Sequence, residues 1–314
     1  MEERIIVKVT ALSLIIISFL AITTFVENQQ YEKEVQMIIE KDASTQNLKN
    51  LIEHKELKQN GYSIHYYLSG DTTNELIVFL HPAFADHRCF DKQIEYFSRY
   101  YRVITVDMLG HGASSVDKSK DKIDFTVNHI DSILQHEGYE RAHFVGVSMG
   151  ALMAQYFGLH HPEKVSSMSI LGGYNINADN PEIAKAQRSE NIKWLFRALF
   201  SMNSFRRYVS SAVVSKPVEQ AHFYKMAGLY TRKSFTVMSG LGNVLKVRED
   251  VILNYPLLIL SGDKDIELAK QMSKKWHDSE PASQYREIEN AGHCANMDNP
   301  DVFNTVLMAF INEN

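Results

Sequence analysis

The chain has 314 residues, 45% of them apolar and 23% charged, with a net charge of −5. These are ordinary values for a globular protein, enough for one large α/β domain with an insertion or two small domains. The acidic balance argues against charge-driven nucleic-acid binding. The two cysteines, Cys89 and Cys294, are too few for a disulfide framework and form no C-x-x-C metal pattern.

Val9 to Val26 reads as eighteen residues without a charge. At about 1.5 Å per helical residue such a run spans roughly a bilayer core. Arg4 and Lys8 precede it and no A-x-A cleavage site ends it. We therefore expect residues 1–26 to form a single-pass membrane anchor. The flanking basic residues place the remaining chain outside the cytoplasm, and a cleaved signal peptide with a secreted product is the rival reading. Residues 27–60 are polar and charged, which predicts a helical stalk.

A domain then begins near Gly61. Tyr62–Leu68 alternates as a hairpin strand does. Leu76–Leu80 is a continuous apolar run that ends at His81-Pro82, and Arg88–Tyr100 has helical character. Val103–Val106 is a short strand ending at Asp107. Phe125–His136 is amphipathic, with Val127, Ile130, Ile133 and Leu134 on one face. Strand Ala142–Val147 leads through Gly146-Val147-Ser148-Met149-Gly150 into a helix over 151–160, which Pro162 stops. Val165–Leu171 is the next strand. From 174 to 250 no buried strand is visible, and Ile192, Leu195, Phe196 and Leu199 recur at i, i+3, i+4, i+7. Alternation resumes with strand Pro256–Leu260, helix Ile266–Trp276 and strand Tyr285–Ile288. Asn299-Pro300 opens a last helix, to about Ile311.

Strands alternating with helices predict an α/β fold with a mostly parallel central sheet covered by helices on both faces. The core is 61–173 and 251–314, and the helical cap is 174–250. Functional groups gather at the carboxyl ends of such strands. Those ends carry His81, Asp107, Ser148, Asp263 with Asp265, and His293, giving the order Ser…Asp…His.

On GVSMG (146–150), DMLGHGASS (107–115), SGDKD (261–265) and AGHCANMDNP (291–300), residues 61–314 resemble the α/β-hydrolase fold family with a helical cap. The resemblance implies Ser148 as nucleophile, His293 as base and Asp265 as acid, with Asp263 the weaker candidate. It implies backbone N–H groups of Ala83 and Met149 as the oxyanion hole. Pro82 stands where the family usually has Gly, and proline has no N–H to donate. The implied activity is cleavage of a small or medium carboxylic ester, thioester or amide through an acyl-enzyme, without metal or cofactor. The partner is a small acyl substrate, and oligomeric state is left open. A ligand sensor with little turnover, or a lyase, perhydrolase or carbon–carbon hydrolase, would use the same framework.

The Gly-His-Gly turn at His111, Asp107 and His81 read as loop supports, and Asp86 as a helix start. The cap carries twelve Lys/Arg and six Asp/Glu, hence +6 against −11 for the remainder. Its many aromatics (Trp194, Phe196, Phe200, Phe205, Tyr208, Phe223, Tyr224, Phe235) suggest a cap that is apolar inward and basic outward.

Overall fold

The computed structural model describes the backbone of residues 2–42, 50–59, 61–114, 116, 120–249 and 251–314, and within these the side chains from residue 22 onward. The chain divides into two units, residues 1–43 and 44–314. The first is helix α1 (Glu2–Lys41), which contains the uncharged run. Among the described residues no helix is long and apolar enough to cross a membrane. The side chains of residues 9–21, which make up most of the expected anchor, lie outside the described residues.

The second unit is built on eight strands: β1 (Glu53–Gln59), β2 (Tyr62–Ser69), β3 (Leu76–Leu80), β4 (Arg102–Val106), β5 (Ala142–Val147), β6 (Val165–Leu171), β7 (Leu257–Gly262) and β8 (Gln284–Ile288). Their order in the sheet is β1-β2-β4-β3-β5-β6-β7-β8. The β1–β2 and β2–β4 pairs are antiparallel, and all pairs from β4 to β8 are parallel. Between and after the strands lie α2 (Asp91–Phe97), α3 (Thr126–Glu137), α4 (Met149–His160), α5 (Pro181–Phe200), α6 (Met202–Val213), α7 (Pro217–Met226), α8 (Ser234–Met238), α9 (Leu241–Val244), α10 (Glu267–Ser279), α11 (Ala295–Asp298) and α12 (Pro300–Asn312).

The central parallel strands β3, β4, β5 and β7 read as mainly apolar runs because both of their faces are buried, whereas the edge strand β8 (QYREI) does not. Val78, Ile104, Phe144 and Ile259 pack with α3, α4 and Trp276 of α10. Their neighbours Ile77, Phe79, Val103 and Leu258 pack with Ile94 and Phe97 of α2 and with Phe303 and Leu307 of α12. Each strand thus feeds two cores, one on either side of the sheet.

The expected stalk over 27–60 needs correction. Helix α1 continues only to Lys41, residues 43–49 and 60 lie outside the described residues, and Glu53–Gln59 is a strand, not a helix. Strand β1 pairs with β2 over Glu53↔Leu68 to Gln59↔Tyr62, so the sheet starts ahead of Gly61. Its sequence, EHKELKQ, holds one apolar residue because it is an edge strand. Lys55, Leu57 and Gln59 lean on the sheet, Glu53 on the same face accepts from buried Arg102 at 3.4 Å, and Glu56 and Lys58 face out as charges that discourage further pairing.

The helix expected over 88–100 is shorter. A 3-10 turn, His87–Phe90, is capped by the Asp86 carboxylate, which accepts from the Arg88 N–H, and α2 follows. The region 174–250 holds α5 to α9 and, among the described residues, no strand.

Candidate active site

Register brings the strand ends to one line. Leu80 pairs with Val106 and with Gly146, Val147 with Leu171, Leu171 with Leu260, and Gly262 with Ile288. The segments that follow these residues therefore emerge along a single sheet edge, and every site residue expected from the sequence lies on one of them.

Ser148 sits between β5 and α4 with φ 52 and ψ −113, a backbone state that residues with a Cβ rarely adopt. The flanking glycines explain how the turn is tolerated. A Cβ at Gly146 would lie 2.5 Å from the Gly150 carbonyl oxygen, and one at Gly150 would overlap the Leu80 carbonyl. The Ser148 N–H donates to the Leu171 carbonyl at 2.8 Å, fixing the turn to the end of β6.

His293 follows β8. Its Nδ1 lies 2.8 Å from Asp265 Oδ1, and the Asp265 side chain is fully buried. Burial disfavours the charged imidazole, but the Asp265 charge and hydrogen bond outweigh it and raise the His293 pKa above 6.5. A Cβ on Gly172, the residue after the Leu171 that holds Ser148, would come within 2.7 Å of His293 Cε1. Elbow and imidazole thus meet at the end of β6. Among the described residues, no hydrogen bond joins Ser148 Oγ to the ring; such contacts commonly tighten only in the substrate complex. Asp263 is not brought to His293. Its Oδ1 accepts from the Ala291 N–H at 2.9 Å and shapes the loop instead.

Among the described residues, the N–H groups of Ala83 and Met149 have no acceptor within the chain. Met149 is the first residue of α4, where N–H groups lack intrahelical partners and the helix dipole favours negative charge. Pro82 is accommodated, and its carbonyl is pinned twice. The Ala85 N–H donates to it at 3.3 Å, as does His81 Nδ1 at 2.8 Å. His81 Nε2 accepts from the Met108 N–H at 3.0 Å, so the proton of this buried, neutral ring is on Nδ1.

The loop of His81 to Ala83 continues into Phe84, a non-glycine at φ 70. Its buried ring stands edge-on to Trp194, Phe205 and Tyr230 of the cap, with centroids 5.0, 5.0 and 4.9 Å away. Phe84 and Tyr230 were not singled out in the sequence, and neither carries a local signal. A second tie between cap and site was also missed. Buried Asp298 accepts from the N–H groups of Ser215 and Lys216 in the cap and of Gly292 beside the histidine. The cap aromatics expected to point inward divide. Phe205, Phe223 and Tyr224 are buried, whereas Phe196 and Phe200 point out of the molecule.

Asp86, His87 and Asp107 place ligand atoms within 4.8 Å of one another, a geometry open to a metal ion. Their donors are already engaged. Asp86 takes a two-pronged hydrogen bond from Arg88 at 2.9 and 2.6 Å. Asp107 accepts from the His87 N–H and Nδ1 and from the Ala113 N–H. Burial would raise the Asp107 pKa, but these bonds prevail and hold it down at about 2. A Cβ at Gly112 would collide with the Asp107 carboxylate, so the Gly-His-Gly turn wraps this acid. Asp107, His111 and His81 are thus embedded as loop supports; Ser115 lies outside the described residues.

An eight-stranded, mostly parallel sheet with a strained serine turn and an Asp–His pair at one edge defines the α/β-hydrolase class. The profile of the alpha/beta hydrolase fold family matches residues 75–202. 3-Oxoadipate enol-lactonase 1 of Acinetobacter baylyi is 23% identical over 270 residues, covering 80% of this chain and 94% of its own. The 2-hydroxy-6-oxononadienedioate/2-hydroxy-6-oxononatrienedioate hydrolase of Burkholderia vietnamiensis is 24% identical over 87% of this chain and 98% of its own. A solved membrane phospholipase A shares the fold with a TM-score of 0.69 and 17% identity, over 98% of this chain and 96% of that one. The chain is thus similar to the α/β-hydrolase fold family over residues 75–202 and shares the fold of its solved members, and the two curated relatives named are hydrolytic enzymes.

Proposed function

We propose that this chain is a serine hydrolase that cleaves a small or medium carboxylic ester, or the related thioester or amide, through an acyl-enzyme. The observation that carries the reading is the Asp265–His293 pair at 2.8 Å, set on the sheet edge where Ser148 occupies a strained turn. His293 Nε2 takes the Ser148 proton as Oγ attacks the acyl carbon, and the carbonyl oxygen becomes an oxyanion. The free N–H groups of Ala83 and Met149 receive that oxyanion. Collapse expels the leaving group with the proton returned by His293, and a water activated by the same ring releases the acid. Asp265 holds the ring tautomer and offsets the imidazolium charge.

An ester is the simplest acyl bond for this arrangement because its leaving group departs most easily. The named relatives, an enol-lactonase and an oxo-dienedioate hydrolase, keep other bonds within the family's reach. The test is turnover of p-nitrophenyl acetate by the intact chain and by Ser148→Ala. Loss of turnover with unchanged circular dichroism supports the assignment; retained turnover removes it.

The second part of the proposal concerns residues 1–26, read as a membrane anchor with the hydrolase unit outside the cytoplasm. Its support is the uncharged run Val9–Val26 within α1 and the likeness to a protein named as a membrane phospholipase A across 98% of this chain. Fractionation of full-length protein against a version starting at Glu27 tests it: membrane recovery of the first alone is expected, and soluble full-length protein overturns it.

A further inference from the structure

Helix α5 is turned the wrong way for a soluble protein. Its apolar stripe, Ile192, Leu195, Phe196, Leu199 and Phe200, faces out, with Ile192 70% and Phe200 75% exposed. The positions that pack inward are Trp194 and Ala198. The Phe196 and Phe200 rings meet each other at 4.6 Å. A contiguous exposed patch of this kind marks an interaction site.

The charges around the patch say what kind. On a 3.6-residue wheel, Lys185 and Arg188 fall on the same face as the stripe, two turns and one turn before Ile192, and both are exposed. At the other end Arg232 donates to the Ala198 carbonyl at 3.0 Å, setting an exposed guanidinium beside the last turn. Cations therefore bracket the apolar side chains within a cap of net charge +6, while the rest of the chain carries −11. A stable protein partner needs roughly 20–30 residues a side, far more than five side chains on one helix. A helix lying in a membrane interface needs only an apolar stripe and basic flanks.

We infer that the outward face of α5 docks on an anionic lipid surface, with Phe196 and Phe200 in the headgroup–acyl boundary and Lys185 and Arg188 against lipid phosphates. This surface is independent of the anchor proposed for residues 1–26 and of the hydrolytic chemistry.

The test uses the full chain carrying Phe196→Cys, labelled with a thiol-reactive bimane; Cys89 and Cys294 are buried. The protein is reconstituted into vesicles of phosphatidylcholine with phosphatidylglycerol, with and without brominated acyl chains. The expected result is quenching by the brominated lipid. Lys185→Glu with Arg188→Glu should weaken it by roughly fivefold per charge removed from the lipid surface, with an unchanged thermal midpoint. Quenching that ignores those charges overturns the anionic-lipid assignment. Absence of quenching overturns docking altogether. In that case, cross-linking through residue 196 that grows with protein concentration identifies a second copy as occupant, and a shielded label at every concentration identifies α1.

Discussion

At the scale of single residues, the site depends on how one imidazole is held. The Asp265 carboxylate raises His293 above 6.5 against the opposing effect of burial. A general base must be neutral, so the rate should rise with pH through that raised value. In Asp265→Asn the ring loses its anionic partner and its enforced tautomer. We expect kcat/KM for p-nitrophenyl acetate to fall on the order of 10³–10⁴-fold, with the acidic limb of the pH–rate profile displaced to lower pH. An unshifted limb would show that another group governs it. Asp263→Asn, by contrast, touches the loop N–H groups around Ala291 rather than the imidazole and should leave the limb in place.

At the scale of elements, the cap is wired to the two loops that flank the serine. Phe84 joins the loop of His81 to Ala83 to Trp194, Phe205 and Tyr230, and Asp298 joins the His293 loop to Ser215 and Lys216. Phe84→Ala should cost about 3–5 kcal/mol of stability as a large-to-small core change, read as a lower urea midpoint. It should also lower kcat more than it alters KM, because Ala83 loses its support. Asp298→Ala strands three backbone N–H donors and should cost about 3 kcal/mol, whereas Asp298→Asn retains acceptor capacity and should recover part of that loss. Equal damage from both changes would argue that packing, not the hydrogen bonds, matters there.

The same scale shows what a sequence can and cannot display. Strands β3 to β7 were legible because burial on both faces demands mainly apolar runs, relieved in β6 by small serines. Strand β1 was not, because an edge strand is selected for charge and twist and so resembles a polar linker. The positions of Ser148, Asp265 and His293 at one sheet edge were legible because each follows a recognisable strand inside a short motif. Phe84, Tyr230 and Asp298 were not, because their roles arise from contacts between segments distant in sequence. Helix α5 illustrates the boundary: its period was visible, but a period does not say which way the apolar face points.

At the scale of the whole molecule, buried neutral histidines set the response to acid. Burial lowers His111 to about 3 and His129 to about 4. A histidine with a depressed folded pKa contributes stability above its unfolded value near 6.5 and loses it as pH falls toward the folded value. Asp91 acts in the opposite sense. Burial raises it to about 6, so its contribution improves as pH falls from 6 toward 4. The two histidines outnumber it, and the urea midpoint should drop between pH 6.5 and pH 4; a flat or rising midpoint would contradict these environments. Sequence alone determined the alternation of strands and helices, the strand that each candidate group follows and the order Ser148, Asp265, His293, because local pattern and burial demand act along the chain. Only tertiary structure decided how Pro82 fits the loop before Ala83, which cap side chains hold Phe84, and that α5 turns its apolar face outward, because those outcomes depend on distances between segments that local pattern does not encode.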